Sequence, residues 1–288
     1  MVINMIVRAN AKINLTLDIE KKRGDGYHDL STVMQSLNIC DEIELTKNKN
    51  GIIKVSCNRR GVPTDERNTA YKAARSVLDY TGISDMGVNI YIDKTIPMEA
   101  GMGGGSADAA AVIHGLIKLF DLQITDSVLN ELAASIGADV PFCMVGGTCL
   151  CRGIGDEVSP VDPMPQCTIL VCKPPVGVST AEAYAESDKF PQEDNFMTAG
   201  LVEALKTEDI HVVAAHLSNR FDDILQIPEV QIIKSIMCEN GALNASMTGS
   251  GSAVYGIFSD DRLALSTAEM LRDYGEVFIA APETAGTF

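Results

Sequence analysis

The residues best suited to chemistry lie in one short run. Over 97–111 the chain reads Pro-Met-Glu-Ala-Gly-Met-Gly-Gly-Gly-Ser-Ala-Asp-Ala-Ala-Ala, with glycines at Gly101, Gly103, Gly104 and Gly105 followed by Ser106. Glycine lets backbone N–H groups approach an anion closely, and the first turn of a helix directs its unpaired N–H groups at the same place. A strand pattern at Val88, Ile90 and Ile92 precedes the run, and a helical stripe of Val112, Ile113, Leu116, Leu119 and Phe120 follows it. Strand, glycine turn and helix N-terminus in that order form a phosphate cradle. A plain tight turn would use the same glycines.

Three common phosphate-binding patterns do not fit. A Walker A loop ends in Gly-Lys-Ser/Thr, and the chain has no Gly-Lys dipeptide. The His-Arg-Asp and Asp-Phe-Gly tripeptides of protein kinases are also missing. A dinucleotide turn would need a third glycine where Ser106 stands, which argues against a nicotinamide oxidoreductase. Asp108 adds a negative charge in the first turn of the expected helix, so its carboxylate is expected to point away from a bound phosphate.

The elements that must hold this turn can be read around it. Ile13, Leu15, Leu17 and Ile19 alternate with Lys12, Asn14, Thr16 and Asp18, which predicts a strand with one core face. Lys12 and Asn14 then sit side by side on its polar face, where a lysine is ordinarily a solvated charge. Lys21 to Gly26 is a polar turn, and residues 33–46 continue as strand. A helix is expected over 68–80 with Asn68 as its cap, and another begins at Thr125 or Asp126 and stops at Gly137. Asp139 follows directly and precedes Val140-Pro141, so it is placed in a turn between helix and strand, where an Asp is often just a cap. Residues 153–166 lack periodicity, and the domain boundary is placed there, giving units 1–160 and 161–288. Beyond it come a buried strand at 167–172, helices near 198–206, 208–219 and 229–240, and a second glycine segment, Thr248-Gly249-Ser250-Gly251, leading into a strand. A helix over 261–273 and a strand at 276–281 close a split β-α-β arrangement.

Composition narrows the function classes. The 288 residues carry a formal net charge of −16, which repels nucleic acid. No apolar run approaches the about 18 residues of a membrane span. The eight cysteines include no C-x-x-C, and Cys149 and Cys151 are too close for a zinc pair or an unstrained disulfide. Reduced, buried thiols in a cytoplasmic protein are the expectation, as a monomer or homodimer. His211 and His216, five residues apart, do not share a helix face, and no metal-ligating set is read in the chain.

The string from Pro97 to Ala110 resembles the ATP loop of the GHMP kinases, with Met102 in place of the usual leucine. The segment from Met247 to Phe258 resembles that superfamily's third motif. Three further stretches, Ala9–Leu15, Arg23–Leu30 and Ile136–Phe142, resemble the branch whose acceptor is cytidine-diphosphate-linked methylerythritol, as does Gly177–Tyr184. The resemblance implies an α+β, two-domain GHMP fold: an N-terminal domain like domain 2 of ribosomal protein S5 and a ferredoxin-like C-terminal domain. It implies phosphoryl transfer from ATP with Mg²⁺. The cradle would be Pro97, Met98, Glu99, Ala100, Gly101, Met102, Gly103, Gly104, Gly105, Ser106 and Ala107. Asp139 would take or orient the acceptor proton, Lys12 would offset the charge developing on oxygen, and Asn14, Tyr27, His28 and Thr180 would bind the small-molecule acceptor. A homoserine- or mevalonate-type kinase is the near rival. A catalytically silent nucleotide sensor is the distant one, and the presence of both Lys12 and Asp139 argues against it.

Overall fold

The computed structural model describes residues 4–190 and 196–286. A first sheet is built around two long antiparallel strands, β1 (Asn4–Lys22) and β2 (His28–Asn48). β1 covers one edge of β2 along its length. The other edge of β2 pairs with β5 (Thr148–Arg152) at one end and with β4 (Gly87–Asp93) at the other. β3 (Ile53–Cys57) adds a parallel strand beside β4, and β6 (Glu157–Pro160) closes the far side beyond β5. A parallel pair needs a crossover, and α1 (Thr69–Thr81) supplies it between β3 and β4. Asn68 caps α1 as expected, accepting from the Ala70 N–H at 2.8 Å.

Helix α2 (Gly104–Phe120) lies deepest, because its sequence is small. Ala107, Ala109, Ala110 and Ala111 are all buried, and a Cβ on Gly115 would stand 2.3 Å from Leu45 Cδ1. That close approach lets the helix N-terminus reach the middle of β1. α3 (Asp126–Ile136) and α4 (Val140–Val145) follow, with Gly137 between them.

The second sheet has the order β10-β7-β9-β8, from β7 (Thr168–Lys173), β8 (Asn244–Met247), β9 (Val254–Phe258) and β10 (Glu276–Ala280), all antiparallel. α9 (Pro228–Glu239) enters β8, and α10 (Asp261–Leu271) joins β9 to β10. This is the ferredoxin-like, split β-α-β order expected from the sequence. Between β7 and α9 stand α5 (Thr180–Ser187), α6 (Thr198–Leu205), α7 (Ile210–Ala215) and α8 (Arg220–Leu225). Strands β3, β6 and β8 and helices α4, α5 and α8 were not expected. All are short, and the local pattern of four to eight residues does not separate them from loop.

Three expectations need correction. Asp139 sits between two helices rather than between helix and strand, as the N-cap residue of α4. Asp108 is in the second turn of α2, not the first, because the helix starts at Gly104. The polar face of β1 is not solvated: Lys12, Asn14, Thr16 and Asp18 are all buried. The later part of the chain covers that face. Asp18, for example, accepts from the Thr198 N–H at the start of α6 at 2.9 Å.

The two glycine segments touch directly. A Cβ on Gly101, whose φ is +72°, would lie 2.0 Å from the Thr248 carbonyl oxygen, and one on Gly249 would lie 3.0 Å from that of Gly101. Gly101→Ala is therefore expected to destabilise the protein by about 1 kcal/mol or more, through both φ strain and the backbone clash. A shift of the urea midpoint at unchanged slope measures it; an unshifted midpoint would show that the segments can part freely.

Candidate active site

Both glycine segments are seated on the outer edge of β1. The Lys12 N–H donates to the Met102 carbonyl at 3.0 Å, and the Asn14 N–H donates to Thr248 Oγ1 at the same distance. The buried Tyr255 hydroxyl donates to the Asn14 carbonyl at 2.9 Å. The β1–β2 register shifts between Asn10 and Lys12 and again between Asn14 and Thr16. Such irregularities re-aim side chains, and these two flank the pair of residues that enter the site.

Lys12 is 4% exposed. Its stem runs beneath Gly103, where a Cβ would stand 2.8 Å from Lys12 Cγ, so a glycine is required there for the lysine to pass. Its ammonium reaches Asn14 Oδ1 at 2.7 Å and Asp139 Oδ2 at 3.2 Å. Asn14 Nδ2 in turn donates to Thr32 Oγ1 at 2.8 Å, which fixes the amide orientation and hence the acceptor that faces Lys12. Asp139 makes no side-chain capping bond to α4, so its carboxylate is free to face the lysine. Its backbone carbonyl starts the helix instead, accepting from the Cys143 N–H.

These groups line a cleft of 1190 Å³. From the first glycine segment it takes Glu99, Gly101, Gly103 and Ser106; from the second, Gly249, Ser250 and Gly251. Gly103 is the N-cap of α2, with φ +67°. The rest of the expected cradle stands behind this wall. Ala100, Met102 and Ala107 are buried, with Ala100 accepting from the Ala253 N–H. Pro97, Met98, Gly104 and Gly105 are not in the cleft wall; Met98 is exposed, and the Gly105 carbonyl accepts from Thr69 Oγ1.

At the other end, Tyr27, His28 and Thr180 all line the cleft. Asp25 shapes the turn before them, accepting from the Tyr27 N–H at 3.1 Å. Tyr27 is exposed and His28 is buried. His28 stacks on Tyr184 with ring centroids 4.8 Å apart, and Tyr184 meets Phe221 edge to face at 5.0 Å. Burial pushes the Tyr184 phenol up to about 12, so it remains protonated. Thr180 Oγ1 and Ser250 Oγ share a hydrogen bond at 3.0 Å, tying α5 to the second glycine segment.

Sequence reasoning missed several of these. Tyr184 lies within a recognised segment, but nothing in that segment shows its contact with His28. Thr32 and Asp188 carry no motif. A buried triad was also missed: Lys94 Nζ lies 2.6 Å from Asp41 Oδ2 and 2.7 Å from Asp108 Oδ2. Asp41 Oδ1 accepts from the N–H groups of Thr95 and Ile96, the entry to the glycine segment. Asp108 thus turns to Lys94 and takes no part in the cleft wall. Burial pushes its carboxyl up to about 7, and the Lys94 ammonium pulls against that.

The GHMP kinases N terminal domain family model matches residues 68–147, and the GHMP kinases C terminal model matches 201–277. A 4-diphosphocytidyl-2-C-methyl-D-erythritol kinase of Caldicellulosiruptor saccharolyticus is 43% identical over 270 residues, covering 93% of each chain. One from Clostridium perfringens is 41% identical over 96% of this chain and 97% of its own. A crystal structure of 4-(cytidine 5'-diphospho)-2C-methyl-D-erythritol kinase superposes with a TM-score of 0.80 at 30% identity, over 96% of this chain and 99% of its own. An L. major mevalonate kinase superposes at a TM-score of 0.78 with 18% identity, over 100% and 98% of the two chains, and shares the fold. The chain belongs to the GHMP kinases and, within them, to the family of 4-diphosphocytidyl-2-C-methyl-D-erythritol kinases.

Removing the cation from the buried triad would leave two carboxylates facing each other out of water. Lys94→Met is expected to cost about 3–5 kcal/mol of folding stability. Urea denaturation measures it, and a loss below about 1 kcal/mol would show that water reaches the triad.

Proposed function

We propose that this chain transfers the γ-phosphoryl group of ATP to the 2-hydroxyl of 4-diphosphocytidyl-2-C-methyl-D-erythritol, a step of the non-mevalonate route to isoprenoids. The observation that carries the proposal is the 3.2 Å approach of Lys12 to Asp139, in a cleft walled by two glycine segments. Family membership supports it.

Phosphoryl transfer depends mainly on positioning and charge stabilisation. The backbone around Gly101, Gly103 and Ser106 binds the nucleotide phosphates at the start of α2, where positive-φ glycines leave no Cβ in the way. Asp139, 30% exposed in its side chain, accepts the hydroxyl proton or orients the hydroxyl for attack. Lys12, held by Asn14 and Asp139, places its charge against the oxygen as it loses that proton. Asn14, Tyr27, His28 and Thr180 hold the acceptor at the far end. In this reading residues 1–160 form the nucleotide unit and 161–288 the unit that closes over it.

Among the described residues no group of three or more His, Cys, Asp or Glu side chains could hold a metal ion. Magnesium commonly binds through phosphate oxygens, waters and one or two carboxylates. Glu99, Ser106 and Asp139 in the cleft wall fit an ion that arrives on the nucleotide. When bound, Mg²⁺ would neutralise phosphate charge. No helix among the described residues is long and apolar enough to cross a membrane. All eight cysteines are free, which favours a cytoplasmic setting.

ADP release with Mg²⁺-ATP and the cytidine-linked acceptor tests the proposal, with mevalonate, homoserine and galactose as controls. Turnover with the cytidine acceptor alone is expected; turnover with only a control would overturn the acceptor assignment. Asp139→Asn is expected to lower kcat by about 10²–10⁴-fold with ATP binding retained. Lys12→Ala should lower kcat comparably, and a pure KM effect would make it a binding residue instead.

A further inference from the structure

A second carboxylate stands at the acceptor end of the cleft, and the proposed chemistry does not use it. Asp188 is the C-cap residue of α5. Its Oδ1 lies 2.7 Å from His28 Nε2, and its other oxygen pairs with Lys22. Lys22 and His28 are direct cross-strand partners in the β1–β2 register, so the three groups are held together by the sheet and the helix end. A carboxylate only accepts hydrogen bonds, so the Nε2 that faces it carries a proton. In a neutral imidazole Nδ1 is then an acceptor.

Among the described residues Nδ1 has no hydrogen-bond partner, and it is not one of the fully buried side-chain polar atoms left without one. The imidazole nitrogen opposite Asp188 is therefore left for a ligand, and His28 lines the cleft. We infer that Asp188 is a specificity-determining positioning residue: by fixing the His28 tautomer it makes the cleft select cytosine over uracil. The inference rests on the proposed cytidine-linked acceptor.

The argument is one of hydrogen-bond complementarity. Cytosine has a single donor on its pairing edge, the exocyclic amino group at position 4. Uracil has a carbonyl oxygen there, and its only donor lies one ring position away. An acceptor nitrogen welcomes the first and opposes the second. A site built around a specific hydrogen bond rejects the analogue that lacks it far more strongly than an apolar pocket rejects a size change. The Tyr184 ring beneath His28 fixes the plane of the imidazole, and a base bonded edge-on to Nδ1 would lie close to that plane.

Asp188→Asn keeps the shape and removes the instruction. An amide can present either its oxygen or its NH₂ to Nε2, so both tautomers become available. Two readouts are needed. The first is the ratio of kcat/KM for the cytidine-linked acceptor to that for its uridine-linked counterpart. The variant is expected to lower this ratio by about tenfold or more, mainly through KM for the cytidine acceptor, with KM for ATP unchanged. Asp188→Glu is expected to restore part of it. A ratio unchanged in Asp188→Asn would overturn the inference. The second readout is the pair of imidazole ¹⁵N shifts of His28 at about pH 8. The wild-type protein is expected to show a protonated Nε2 and a bare Nδ1, with a mixture in Asp188→Asn. A wild-type Nδ1–H would overturn the inference whatever the kinetics. If the wild-type protein phosphorylates neither acceptor, the proposed function fails, and the nitrogen shifts still decide whether Asp188 sets the tautomer.

Discussion

The structure depends on the outer edge of one strand. Between Lys12 and Leu17, the side of β1 that turns away from β2 bonds to parts of the chain distant in sequence. Met102 and Thr248 accept from it through the two glycine segments, Tyr255 donates to the Asn14 carbonyl, and Ser218 bonds to both Leu15 and Leu17. An unpaired strand edge in the interior would leave buried N–H and C=O groups without partners. Satisfying them from both halves of the chain places the two glycine segments and the buried Lys12 on one element. Lys12 could not hold its position if either glycine segment docked elsewhere.

Buried charge follows from the same arrangement. Lys12 and Lys94 are both nearly inaccessible, and each is set among oxygen acceptors. Lys12 faces a partly exposed carboxylate at a cleft, which leaves room for a substrate between or beside the two. Lys94 is enclosed by two buried carboxylates, and that closed triad braces the backbone at Thr95 and Ile96 where the chain enters the glycine turn. Ion pairs of this kind add little net stability against an apolar alternative. Here the triad gives a single position to a loop whose glycines would otherwise allow many.

The regular elements were legible where their period was long enough to read. β1 and the helices at 68–80, 125–137, 229–240 and 261–273 correspond to observed elements within a few residues, because each buries one repeating face. The glycine turns were legible for a different reason: the required backbone conformations admit almost no other residue. The elements that were missed, among them β3, β6, β8, α4, α5 and α8, are short and take their stability from neighbours. The burial of Lys12 was not legible, because alternation along a strand reports two faces but not what covers the second one.

By itself the sequence determined the two glycine turns, the longer strands and helices and the membership of a kinase family, because these rest on local patterns of glycine, small and apolar residues. It also named Lys12, Asn14, Asp139, Tyr27, His28 and Thr180, all of which line the same cleft. The tertiary structure alone decided how they meet. The burial of Lys12 under Gly103, the release of Asp139 from capping, the stack of His28 on Tyr184 and the pairing of His28 with Asp188 join residues up to 160 positions apart. Contacts of that kind are made by packing distant parts of the chain together, and no short stretch of sequence contains both partners.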